Sequence, residues 1–306
     1  MTLPPSVQII DHHAGYPIVE IQHREANGRI ALHGGHVLEW MPAHSGPVLY
    51  MSPQAVWEQG KPIRGGIPVC WPWFGPHPSD STKPAHGLVR TMMWELDRAR
   101  ESASGVDLVL RIADTADSRA LWPHAFEARM HIHFGIELEV GLEITNKGDA
   151  PWSSTGALHT YFIVGDSRQI SIHGLHGTQY VESRLSPEKR PQHGPVVIDQ
   201  EVDRLYASDA AVIIDDPVLG RELRIEKAGS LSTVVWNPWI EKSTRLADLP
   251  DDAYPEFVCV ETCNAGEDII TLQPGDSHLL FTRLCVRQLN EEAVPQPTLP
   301  EGGFFV

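Results

Sequence analysis

A chain of 306 residues with 42% apolar and 21% charged side chains can bury a sizeable core and is not generally disordered. Its 40 acidic against 24 basic residues leave a formal net charge of -16, so its long-range field repels polyanions, and neither a nucleic acid nor a membrane is expected as a partner. The 25 glycines and 25 prolines require many turns and short elements, which favours strands over a helical bundle.

The opening MTLPPSVQII lacks the basic stretch and apolar centre of a secretory signal, and four cysteines, too few for a disulfide scaffold, read as the reduced thiols of a cytoplasmic protein. No apolar run approaches the about 18 residues of a spanning helix. Strands are predicted over 16–22 and 29–40. A short helix is predicted over 52–60, with Ser52 as N-cap, Pro53 at the first helical position and Gly60 as the stop. A strand at 106–112 leads to a turn around Asp114–Arg119, then to strands at 126–134 and 136–145 that abut at Gly135 as a hairpin or bent pair. In the second of these, Ile136, Leu138, Val140, Leu142 and Ile144 alternate with Glu137, Glu139, Gly141, Glu143 and Thr145. One face is apolar and the other acidic, as a half-solvated antiparallel strand requires. Further strands are expected at 210–214, 221–226, 231–236, 256–261 and 278–287. No linker splits the chain. The reading is an all-β protein with few short helices, one antiparallel two-sheet domain over 1–306, whose residues 288–306 wrap the surface as a tail.

Residues 61–96, KPIRGGIPVCWPWFGPHPSDSTKPAHGLVRTMMWEL, form the most unusual stretch. Arg64 stands beside Gly65 and Gly66, which permit φ > 0 and close backbone approach to a ligand. Trp71, Trp73 and Phe74 follow among prolines, and His86 and Arg90 return an imidazole and a second guanidinium. Such a loop either caps a sheet or carries function. His159 lies between apolar residues of an expected strand, as a core histidine or a functional one. Glu261, in FVCVETCN, is either on the solvent face of an edge strand or partly desolvated, a candidate general acid or base. The pairs His33/His36 and His131/His133 lack a third ligand fixed by spacing, and no metal site is expected. Cys70, Cys259, Cys263 and Cys285 sit in apolar runs and read as buried thiols. G-x-S-x-G, P-loop and G-x-G-x-x-G motifs are absent.

The run RGGIPVCWPWFG from Arg64 to Gly75, followed by His86-Gly87-Leu88-Val89-Arg90 and Trp94-Glu95-Leu96, resembles the D-hexose-6-phosphate mutarotases, or glucose-6-phosphate 1-epimerases, of the aldose 1-epimerase (galactose mutarotase-like) superfamily. Leu158-His159-Thr160-Tyr161-Phe162, Asp203-Arg204-Leu205-Tyr206, Trp236-Asn237-Pro238-Trp239 and Asp251-Asp252-Ala253-Tyr254 before Cys259-Val260-Glu261 follow in that family's order. The resemblance spans roughly 25–290. It implies a large two-sheet supersandwich and interconversion of the anomers of a hexose 6-phosphate, with His159 and Glu261 as catalytic residues. Arg64, Arg90 and Asp203 match substrate-binding positions, and His86 and Trp239 join them as candidates. One position departs: some members carry Gln before the His-Gly of HG-x-x-R, where this chain has Ala85.

On that reading Glu261 takes the proton of the C1 hydroxyl and His159 protonates the ring oxygen. Arg64 and Arg90, with Lys83 as a further candidate, hold a phosphate at C6. Asp203 accepts sugar hydroxyls, and Trp71, Trp73 or Trp239 stacks on the ring. The partner is a small sugar phosphate, no cofactor has a task, and a monomer or weak oligomer is expected. Mutarotation of unphosphorylated aldoses and a non-catalytic carbohydrate-binding module are the alternatives.

Overall fold

The computed structural model describes residues 2–12, 15–182 and 188–289. Two eight-stranded antiparallel sheets dominate it. The first runs, edge to edge, Ser171–His173, Val212–Asp216, Arg221–Ala228, Ser277–Gln288, Leu138–Asn146, Phe126–Gly135, Gly105–Ala113 and Glu95–Ser102. The second runs Lys189–Pro191, Gln179–Glu182, Val202–Ala207, Ser232–Asn237, Phe257–Asn264, Gly156–Leu158 and Val69–Cys70, with Tyr161–Ile163 also paired to Phe257–Asn264. A four-stranded meander over residues 7–42 packs beside the first sheet, where Trp40 Nε1 donates to Gly135 O at 3.1 Å.

The hairpin of Phe126–Gly135 and Leu138–Asn146 shows why the sheet forms. Phe126, Ala128, Met130, Ile132 and Phe134 meet Leu138, Val140, Leu142 and Ile144 in the core. Each large apolar side chain so buried contributes about 1.5–3 kcal/mol before entropy is counted. The opposite face is charged: His131 pairs with Glu143 at 2.9 Å, His133 with Asp107 at 2.8 Å, and Arg283 with Glu139 at 2.8 Å. The two histidines therefore serve separate hydrogen bonds to carboxylates. Ile136 departs from the expected alternation, because it lies in the hairpin turn and is 53% exposed. One apolar cluster joins the sheets, with Trp40, Trp71, Phe134, Val140, Phe162, Val235 and Val258 among its members.

Several sequence expectations change. The stretch 29–40 is two strands, Ala26–Ala31 and His36–Pro42, turned back at Gly34 and Gly35. No helix forms over 52–60. The Ser52 hydroxyl accepts Gln54 N at 3.1 Å and donates to Asp248 O at 2.7 Å, which commits it to a turn and a long-range contact. Where a turn was expected around Asp114–Arg119, a short helix forms over Ala116–Leu121, closed by a capping box between Thr115 and Ser118. Cys70, Cys259 and Cys263 are buried, but Cys285 is only half-buried, its thiol donating to Glu137 at 3.2 Å. The expected tail lies outside the described residues from 290 onward.

Candidate active site

His159 and Glu261 meet through strand register. Phe257–Asn264 pairs Thr262 with Leu158 and Cys259 with Tyr161. Glu261 thus stands opposite His159, which occupies the two-residue gap between Gly156–Leu158 and Tyr161–Ile163 instead of lying inside one strand. Its Nε2 is 3.4 Å from Glu261 Oε1. The same register carries the row across the sheet. Asp203 pairs with Trp236 and Trp236 with Cys259, so Asp203, Trp236 and Tyr161 share the face that bears Glu261.

Glu261 is 1% exposed and His159 9%. A carboxylate so buried costs several kcal/mol unless compensated, and the adjacent imidazole compensates it when protonated. The imidazole lies 4.9 Å from the Tyr161 ring, stacked at 12°, with Trp236, His86 and Phe74 edge-on around it. This cage fixes the ring and excludes water on all sides but the cavity.

The glycine pair of the signature loop is required by the backbone. Gly65 and Gly66 have φ of 110° and 60°, and a Cβ there would lie 2.4 Å from Tyr50 O and 2.2 Å from Val37 O. The close approach is to the protein's own chain, not to a ligand as the sequence suggested. His36 Nε2 donates to Gly65 O at 2.7 Å, and burial pushes its pKa down to about 3, so it is a neutral strut. The loop then binds the segment that carries His159: Gly66 O accepts Tyr161 N at 2.9 Å and Pro68 O accepts His159 N at 3.1 Å.

The three cations of the site differ in their partners. Arg64 donates from Nε and Nη2 to Asp248 Oδ1 at 3.1 and 3.0 Å and from Nη1 to Tyr161 Oη at 2.9 Å. Burial disfavours its charge, but the Tyr161 and Asp248 oxygens outweigh burial and hold its pKa above the ordinary value. Burial pushes the Tyr161 phenol up in turn, so it stays neutral. Arg90, on the 3-10 turn Val89–Thr91, donates from Nη2 to the Ala85 carbonyl at 2.7 Å and has no carboxylate partner among the described residues. Lys242 contacts Glu201 at 2.7 Å and Asp203 at 3.5 Å. It is delivered by a short helix, Trp239–Ser243, whose entry is set by buried Asn237: Nδ2 donates to Tyr254 O and Phe257 O, and Oδ1 accepts Trp239 N.

These groups line a cavity of about 250 Å³. Arg64, His86, Arg90, His159, Asp203 and Glu261, far apart in sequence, converge on it. Trp239 does not line it and packs on Tyr254 at 5.0 Å. Trp71 and Trp73 are buried core residues, and Lys83 binds the Leu121 carbonyl away from the cavity. The sequence reading missed Tyr161, Trp236, Lys242 and Asp248 as lining residues. For Tyr161 and Trp236 the signal was their place within LHTYF and WNPW; Lys242 and Asp248 had none. A larger groove of about 790 Å³ bordered by Tyr180 and Leu231 lacks the His–Glu pair.

A buried acid–base pair at the floor of a polar cavity is the equipment of an enzyme that moves protons on a small polar substrate. Comparison with known proteins makes the class specific: residues 17–285 match the aldose 1-epimerase family, and the chain belongs to that family. It is 34% identical over 264 residues to a protein of Escherichia coli (strain K12) named "Putative glucose-6-phosphate 1-epimerase", covering 86% of this chain and 88% of that one. A relative of the same name from Cenchrus ciliaris is 33% identical over 266 residues, covering 83% and 79%. The crystal structure of a "putative mutarotase" from Salmonella typhimurium superposes with a TM-score of 0.87 at 29% identity, covering 94% of this chain and 95% of that one.

Proposed function

We propose that this epimerase interconverts the α and β anomers of a hexose 6-phosphate, glucose 6-phosphate first among them, in the cytoplasm and as a monomer or weak oligomer. The observation that carries the mechanism is the 3.4 Å separation of His159 Nε2 and Glu261 Oε1 beneath one cavity. Ring opening acts on two oxygens bonded to the same carbon, so acid and base have to border the same small cavity, as these two do. Glu261 takes the proton of the C1 hydroxyl as His159 gives one to the ring oxygen, and the C1–O5 bond breaks. The aldehyde turns about C1–C2. Closure on its other face returns a proton from Glu261 to the C1 oxygen and one from O5 to His159, which restores both groups. No step is assigned to a metal or an organic cofactor.

The reading of the phosphate rests on Arg90. Its guanidinium borders the cavity with a neutral carbonyl as its partner among the described residues, so it can offer a charged fork to a dianion. Names of the relatives above agree with a 6-phosphate substrate. The test is the anomerisation rate of glucose 6-phosphate beside glucose and galactose, with buffer catalysis subtracted. A specificity constant no higher for the phosphate ester refutes the substrate assignment and leaves a general aldose mutarotase.

A further inference from the structure

We propose that Lys242 determines specificity for phosphorylated substrates: its ammonium is the counter-charge that lets the Asp203 carboxylate share the cavity with a dianion. The inference rests on the hexose-phosphate reading above. Three carboxylates line the cavity, Asp203, Asp248 and Glu261, and each has a basic side chain beside it. Asp248 is held by Arg64 at 3.0 Å and Glu261 faces His159. Among the described residues Asp203 is paired with Lys242 at 3.5 Å, and Lys242 also holds Glu201, two residues earlier. Without that ammonium the Asp203 carboxylate faces the cavity with Glu201 two residues away, and of the lining guanidiniums Arg64 is already held by Asp248, which leaves Arg90 to oppose it. A carboxylate there accepts hydroxyls of a neutral sugar without penalty but repels a phosphate dianion.

The position of the ammonium is built rather than incidental. Lys242 Nζ lies 5.8 Å from the centre of the Trp236 ring, which also lines the cavity. Its helix is tied back by the Ser243 hydroxyl to Trp239 O at 2.6 Å and begins at the turn fixed by Asn237. The Lys242 and Asp203 side chains are 33% and 26% exposed, so salt screens their interaction only in part. Lys242 pairs with Glu201 and Asp203, so its effect falls on charge recognition and not on proton transfer.

The readout is the ratio of kcat/KM for glucose 6-phosphate to that for glucose, in wild type, Lys242→Met, Lys242→Arg and the double variant Lys242→Met/Asp203→Asn. Lys242→Met is expected to lower the ratio about 5–20-fold, chiefly through KM for the phosphate ester, as for a partly screened charge. Lys242→Arg keeps it within about 2-fold of wild type. Adding Asp203→Asn slows both sugars but restores the ratio, because the repelling charge is gone. A ratio unchanged in Lys242→Met, or one that Asp203→Asn fails to restore, overturns the inference while wild-type preference for the phosphate ester stands. If wild type itself shows no such preference, the hexose-phosphate reading falls and this inference with it.

Discussion

Arg64 and Arg90 match the same class of substrate-binding position, yet their surroundings predict different consequences of losing them. Arg90→Ala removes a guanidinium whose polar partner among the described residues is the Ala85 carbonyl at 2.7 Å. The fold loses one neutral hydrogen bond, about 0.5–1.5 kcal/mol, whereas a bound phosphate loses charge-assisted bonds worth about 1.5–3 kcal/mol. That converts to a fall of about 10–150-fold in kcat/KM for glucose 6-phosphate, with glucose changed by less than about 3-fold. Arg64→Ala instead leaves the Asp248 carboxylate unpaired and takes away the donor to Tyr161, whose ring stacks on His159. Because Arg64 and Asp248 side chains keep 22% and 20% exposure, the cost to stability is set at about 1–3 kcal/mol, below that of a fully buried broken pair. Misplacement of His159 lowers kcat for both sugars alike. Polarimetry on both substrates and urea unfolding of both variants decide the matter. Equal losses on both sugars in Arg90→Ala, or a phosphate-selective loss in Arg64→Ala with stability unchanged, refute this division of labour.

Three further outcomes are expected. His159→Asn and Glu261→Gln each reduce anomerisation by about 10²–10⁴-fold with the fold intact by circular dichroism; near wild-type rates in either remove the acid–base assignment. His36, with a pKa lowered by burial to about 3 from an ordinary 6.5, stays neutral in the folded protein while the unfolded chain takes up a proton. The stability it contributes at neutral pH is therefore lost as pH falls from 6.5 toward 3, by at most about 1.4 kcal/mol per pH unit. His36→Gln keeps a donor for Gly65 O without titrating, so its urea midpoint should fall less steeply between pH 7 and pH 5; parallel curves contradict this. Chelators leave the rate unchanged, because His131 and His133 serve separate hydrogen bonds to carboxylates and His36 is spent on Gly65 O; loss in EDTA that zinc restores would reverse the reading.

The sequence determined the fold class through local alternation. Phe126–Gly135 and Leu138–Asn146 bury every second residue, and that period of two is written in the chain because each strand must face core on one side and water on the other. The composition of the signature loop and the family order of LHTYF, DRLY and CVETC identified six of the residues that line the cavity. Local signals failed where a distant contact outbid them. Ser52 reads as an N-cap, but its hydroxyl is used by Asp248 O, nearly two hundred residues away. Gly65 and Gly66 read as room for a ligand, but Tyr50 and Val37 fill it. The strands at 69–70, 152–163 and 202–207 are too short or too irregular to announce themselves by period, so the surface that carries the site was the part least legible. Only the tertiary structure decided which cations remain available. Arg64, Arg90 and Lys242 are equivalent as letters in a sequence, and pairing with Asp248, with a carbonyl, and with Glu201 and Asp203 makes them different. A charge acts through its neighbours, and in a sheet assembled from strands far apart in the chain those neighbours are set by register, which no local window contains.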